Sequence, residues 1–446
     1  MPIAFLLYYA SPKKYKNLVL LIVSLVFYSW GEVKYFPIMV ASIFVDYTAS
    51  CIIERNRHNK LICRLSLAAS VVFNLGMLGF FKYTNFLIAN TNALLGTDIG
   101  LMSITLPLGI SFYTFQTMSY TIDVYLGKVK AEDNIIDFGA FVVLFPQLIA
   151  GPIVRYTDIN RELSERTVDF DQITDGVQTF IMGVGSKVLI ANSIGAMWTE
   201  IESIGFGGLS MPLAWLAILA FTFQIYFDFS GYSLMAIGLG KMLGFNFPQN
   251  FDFPYISRSM TEFWRRWHMT LGSWFREYLY FPLGGSRKGY WRTIFNLFVV
   301  WAATGLWHGA SWNFVFWGLY FFVLLVIEKS FLLKYLNSNR WLSTAYMLVL
   351  IPISWAIFAI TDLGSMSVFF GRMFSFSQSD DWLYYLRNYG LTFIAAAVFS
   401  TPYLKPLYKK ICRNQLASVV FFGAVLVVSV AYLVDATYNP FLYFRF

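Results

Sequence analysis

The chain has 446 residues, of which 57% are hydrophobic, 20% aromatic and 13% charged, with a formal net charge of +8. That charged fraction is about half the ~25% of soluble domains, and with a mean hydropathy of +0.57 no stretch is polar enough to coat a soluble globule. The apolar runs are continuous, which excludes a membrane β-barrel, and the positive charge sits in short loops between them, which points to membrane orientation and away from nucleic acid.

An all-α polytopic membrane protein is therefore expected, folded as one membrane domain over residues 1–446. Met1–Ala10 is too short for a span. It is expected either to re-enter the bilayer or to reflect a start downstream of the real one, and it shows no cleavage site for a signal peptide. Candidate spans then follow at 17–30, 35–53, 62–81, 104–122, 137–150, 174–196, 209–227, 230–245, 293–307, 312–329, 343–361, 389–403 and 416–435. Several are shorter than the ~20 residues that cross the hydrocarbon core, so about eleven true crossings are expected. Lys13, Lys14 and Lys16, then Arg55, Arg57, Lys60 and Arg64, then Lys405, Lys409, Lys410 and Arg413 are expected to face the cytoplasm. Cys51, Cys63 and Cys412 are scattered and support neither a disulfide framework nor a metal site.

Five stretches place polar groups at membrane depth. Leu106–Tyr125, with Gln116 and Asp123, and Phe145–Pro152, with Gln147, mix polar side chains with helix breakers, which membranes tolerate only inside protein or along a cavity. Both are expected to wall an internal pocket or tunnel, with small-residue packing as the plain alternative. Asp228, in the aromatic stretch Phe221–Tyr232, needs a partner. An arginine of the 258–276 region or a histidine is expected to supply it, as a structural ion pair before a catalytic one.

The fourth stretch, about 255–292, is aromatic and basic and is expected to lie at the interface or dip into the bilayer. Read as one helix, it puts Trp264, His268, Leu271 and Phe275 on one face, until Pro282, Gly284 and Gly285 break it. Its basic residues, among them Arg265, Arg266, Arg276, Arg287 and Lys288, are read either as an interfacial anchor or as a cytoplasmic mouth for a phosphate-bearing acyl donor. The fifth holds His308 in the nearly all-apolar segment Ala302–Tyr320. An imidazole there is either interhelical glue or a general base for an attacking hydroxyl. Asn313 and Ser311 lie close enough in sequence to orient it.

Three of these motifs, Glu262-Phe-Trp-Arg-Arg-Trp-His268, Tyr280-Phe-Pro-Leu-Gly-Gly-Ser-Arg-Lys288 and Thr304-Gly-Leu-Trp-His308-Gly-Ala, resemble the membrane-bound O-acyltransferase (MBOAT) family. More narrowly, they resemble its alginate O-acetyltransferase-like bacterial branch, as do Leu106–Tyr125, Phe145–Arg155, Gln224–Tyr232 and Asn439–Phe446. The resemblance implies the MBOAT fold, a ring of tilted helices around a central tunnel, with His308 at its centre and His268 on its cytoplasmic side. It further implies no resident cofactor, acetyl-CoA as the thioester donor, and a place in the bacterial inner membrane. The implied partners are an SGNH-hydrolase-like extracytoplasmic acetyltransferase and the machinery that makes and exports a polysaccharide. Two positions depart from the family pattern: Leu234 stands where an aspartate is usual and Ala359 where an arginine is usual. Three rivals stay open: a transporter, a teichoic-acid D-alanylation protein fed by a carrier-protein thioester, and a non-catalytic scaffold of an exopolysaccharide machine.

Overall fold

The computed structural model describes residues 1–149, 151–376 and 379–435; the terminal motif Asn439–Phe446 lies outside them. Every regular element among the described residues is helical. Seven helices there are long and apolar enough to cross a bilayer: Phe36–Arg55, Lys60–Leu95, Phe170–Ile204, Met211–Met242, Trp312–Ser338, Arg340–Ala359 and Gln415–Asp435. Other stretches expected to span form shorter helices, such as Lys16–Gly31, Ile110–Tyr125 and Ile135–Val143. At 1.5 Å per residue these fall short of the ~30 Å hydrocarbon core.

One expectation is corrected outright. The spans expected at 209–227 and 230–245 are a single 32-residue helix, Met211–Met242. Gly231, inside that helix, is a point of contact. A Cβ on Gly231 would lie 2.8 Å from the Gly183 carbonyl oxygen, and one on Gly183 would lie 2.6 Å from that of Gly231. The two backbones touch at that crossing, where small residues serve in place of a hydrophobic driving force.

The chain divides into two compact units. The first comprises Met1–Val177 and Ala236–Pro248. Its helices Phe36–Arg55, Lys60–Leu95 and Ile110–Tyr125 enclose a polar knot around the buried Asp46. That carboxylate accepts from Ser70 Oγ, from Asn74 Nδ2 (2.8 and 3.1 Å) and from Thr121 Oγ1 (3.0 Å). Around Ile135–Val143 the rings of Phe138, Tyr120, Phe141 and Tyr156 pack edge to face or tilted at 4.5–5.3 Å. Asn59 caps the start of the 36-residue helix by accepting from Leu61 and Ile62 N–H, and Gly96, in the left-handed region at φ 66°, ends it.

The second unit comprises Gln178–Met235 and Gln249–Phe446. Its central feature is a hairpin of Tyr290–His308 and Trp312–Ile327. Gly305 and Gly318 face each other across it: a Cβ on Gly305 would meet the Phe314 carbonyl oxygen at 2.5 Å, and one on Gly318 that of Trp301 at 2.5 Å. That close approach fixes where the end of the first helix, His308, stands.

Candidate active site

His308 is the last residue of its helix and is 6% exposed. Rings surround it, with centroids at 4.9 Å (Trp317), 5.0 Å (Trp307), 5.3 Å (Phe358) and 6.5 Å (Phe314). Asn313 opens the return helix. Its side-chain amide donates to the carbonyls of Ile357 (3.2 Å) and Phe358 (2.9 Å). It thereby ties the hairpin to the end of Arg340–Ala359 and holds the Phe358 wall against the histidine. Ala359, where the family pattern has an arginine, is the buried last residue of that helix; Leu234 is half-buried.

The His268 segment is not the continuous helix expected. Met260–Arg266 and Met269–Phe275 are separate short helices, and His268 between them sits in the left-handed region at φ 44°, ψ 53°. Among the described residues only His268 and Phe253 adopt positive φ without being glycine, a conformation that costs of order 1–3 kcal/mol and needs support from its surroundings. The support is the loop beginning at Gln249. Asn250 O accepts from Met269 N–H (2.9 Å), Arg266 O accepts from Asp252 N–H (2.9 Å), and Asn250 Oδ1 meets His268 Nδ1 at 3.1 Å. His268 is 1% exposed, and burial pushes its imidazole down to about 3, so it is neutral at physiological pH.

The two histidines pack against one indole. Trp307 lies 6.0 Å from His268 and 5.0 Å from His308, and Phe229 closes the other side of His268 at 4.8 Å. This places two buried imidazoles among the same aromatic rings.

The basic residues split into two kinds. Arg266 is held: it donates to Glu262 Oε1 (3.0 Å), to Asp252 O (3.1 Å) and to Asp252 Oδ2 (3.2 Å). Lys405 approaches the same Asp252 at 3.7 Å. Arg265, Arg276, Arg287 and Lys288 are exposed, as an anion-binding surface requires. Gly284 and Gly285, at φ 106° and 57°, turn the chain after Tyr280 as expected.

The partner of Asp228 is corrected. It is Lys187, whose Nζ contacts Asp228 Oδ1 with both side chains largely buried. Lys187 lies in a π-helical turn, Ser186–Asn192, one turn beyond the Gly183–Gly231 crossing, so the close approach of backbones brings the charges together. A lysine in the middle of the span expected at 174–196 was itself a costly residue at membrane depth, but sequence gives no sign of which acid it meets. Gln116 belongs to the first unit, buried, with Nε2 donating to Phe141 O at 3.0 Å; Gln147 Nε2 donates to the same oxygen at 3.0 Å. Both amides there serve a helix end that the breakers leave without its own hydrogen bonds.

Sequence reasoning missed Glu328. Buried, it accepts from Met260 N–H (2.6 Å), Thr261 N–H (2.9 Å) and Thr261 Oγ1 (2.6 Å). A carboxylate on free N–H groups at a helix start is strongly favourable, and it clamps the Met260–Arg266 helix to the far end of the hairpin's return helix, Trp312–Ile327. The available signal was an acid directly after the apolar run Trp312–Ile327.

A model of the membrane-bound O-acyltransferase family matches residues 130–369. The chain is 37% identical, over 100% of its length and 98% of the relative's, to the probable alginate O-acetylase AlgI of Pseudomonas putida. It is 34% identical to the peptidoglycan O-acetyltransferase of Helicobacter pylori over 74% of this chain and 68% of that one. It is 30% identical to the teichoic acid D-alanyltransferase of Streptococcus thermophilus over 54% and 61%.

Proposed function

The chain belongs to the membrane-bound O-acyltransferase family, and from that premise we propose that this multi-pass membrane enzyme O-acetylates an extracytoplasmic polysaccharide with His308 as general base. The observation that carries the reading is the pair of buried imidazoles that both pack against Trp307. An acceptor hydroxyl gives its proton to the His308 imidazole as its oxygen attacks the acetyl carbonyl. The new C–O bond forms, the C–S bond breaks, and the departing thiolate takes the proton back from the imidazolium. Exclusion of water by the surrounding rings keeps the thioester for the hydroxyl.

Acetyl-CoA is the proposed donor, delivered from the cytoplasm, with the exposed Arg265, Arg276, Arg287 and Lys288 meeting its phosphates and Arg266 stiffening the short helix Met260–Arg266 that carries Arg265. The setting is the bacterial inner membrane. The acetyl group passes to an SGNH-like extracytoplasmic transferase or directly to the polymer. The D-alanylation reading, with a carrier-protein thioester as donor, has the shorter and weaker of these similarities behind it.

The test is expression of wild type and His308→Ala in the producing cell, with O-acetyl groups counted on its exopolysaccharide. Wild type restores acetylation and the variant does not; equal acetylation by both overturns the catalytic assignment. Labelled acetyl-CoA and a carrier protein loaded with labelled D-alanine, each supplied to the cytoplasmic face of membrane vesicles, then separate the donors: label that moves only from the carrier protein supports D-alanylation.

A further inference from the structure

Asn250 is 1% exposed, and every polar atom of its side chain is assigned by its neighbours. Its Nδ2 lies 3.1 Å from Ser233 Oγ. Its other amide atom faces the Thr270 backbone N–H at 3.3 Å and Thr270 Oγ1 at 2.9 Å. A backbone N–H can only donate, so the atom facing it is the carbonyl Oδ1, an acceptor. The same Oδ1 faces His268 Nδ1 at 3.1 Å, and an acceptor there requires Nδ1 to carry the proton. A neutral imidazole has one proton; with Nδ1–H used on Asn250, Nε2 holds a lone pair. That Nε2 is buried and has no hydrogen-bond partner among the described residues, an arrangement that costs free energy unless a ligand supplies a donor.

We propose that Asn250 is a positioning residue that fixes His268 as the Nδ1–H tautomer, so that a bare Nε2 accepts a hydrogen bond from an O–H or amide N–H of a substrate in the acyl transfer. The proposal rests on the functional reading above for the identity of that substrate, and on geometry alone for the tautomer. Asn250 holds the ring from two sides, because its backbone carbonyl also fixes Met269, the residue after the left-handed His268. The same latch sets both the direction of the ring and the nitrogen it presents.

Three histidines in the chain make nitrogen-15 NMR practicable on full-length protein in lipid nanodiscs with labelled histidine. His58→Gln and His308→Gln assign the resonances. In wild type, His268 shows a protonated Nδ1 and an unprotonated Nε2. In Asn250→Ala the tautomer shifts or becomes mixed while the His308 resonances stay in place, and turnover falls about tenfold, the worth of one hydrogen bond. In Asn250→Asp the carboxylate still accepts from Nδ1–H, so the tautomer and most of the turnover return, and His268 takes its second proton at a higher pH than in wild type. A wild-type His268 protonated on Nε2, or an unchanged tautomer in Asn250→Ala, overturns the proposal. If Asn250→Ala does not fold, Asn250→Asp decides: an imidazole indifferent to residue 250 shows no rise in its protonation pH. The tautomer needs no turnover to be read, so failure of the His308→Ala acetylation test leaves this result standing by itself.

Discussion

Asp46 and His268 are both buried polar side chains in a chain built for lipid, and each unit treats its own differently. Around Asp46 two neighbouring helices supply Ser70, Asn74 and Thr121, and both carboxylate oxygens are engaged. Around His268 one loop supplies one acceptor for Nδ1, and Nε2 is left open among aromatic rings. A fully satisfied group holds helices together and asks nothing of a ligand. A half-satisfied one is costly until something binds, which is how a site differs from a joint.

The largest effect expected is on chemistry. His308→Ala should lower turnover by about 10²–10⁴, the range for a general base, while the melting temperature in detergent stays within a few degrees. A loss of folding in place of a loss of rate would make His308 a joint like Asp46. Next comes Glu328→Leu, which leaves two backbone N–H groups and the Thr261 hydroxyl without their acceptor. A destabilisation of about 3 kcal/mol is expected, read as a lowered melting temperature, with Glu328→Gln recovering part of it. Asp46→Asn keeps an acceptor for the hydroxyls and loses one contact with Asn74. It should cost about 1 kcal/mol of stability and leave turnover per folded molecule within about twofold of wild type. If Asp46→Asn instead abolished turnover at full stability, satisfaction of hydrogen bonds would not distinguish the two kinds of group.

The helical membrane fold and the two histidines were legible because they rest on composition and on residues whose burial is costly wherever they fall. The interfacial segment was legible as a region and misread as an element. Periodicity from Trp264 to Phe275 fits one helix, but the pattern carries no sign that Asn250, eighteen residues before His268, would pull that residue into the left-handed region. The Lys187 partner of Asp228 was hidden for a similar reason, since the pairing depends on two glycines meeting between helices. The gap expected between 227 and 230 was misread for a related cause: Asp228 falls inside one continuous helix, and its pairing with Lys187 is made between helices. Contacts between distant segments set all three, and local spacing does not encode them.

The last effect expected concerns pH, and it tests the open nitrogen directly. Burial pushes the His268 imidazole down to about 3, whereas in an unfolded chain it titrates near ~6.5. Between those values the unfolded state binds a proton that the folded state refuses. Stability therefore falls as pH drops through about 6.5 and keeps falling toward 3, while above 6.5 His268 contributes no pH dependence. Other groups titrate in the same window, so the measurement is a difference: melting temperatures of wild type and His268→Gln at about pH 8 and about pH 5. Wild type should lose more on acidification than the glutamine variant, by a few degrees. Equal losses would mean that the folded imidazole takes up the proton, and a protonated Nε2 donates where the proposed chemistry needs it to accept.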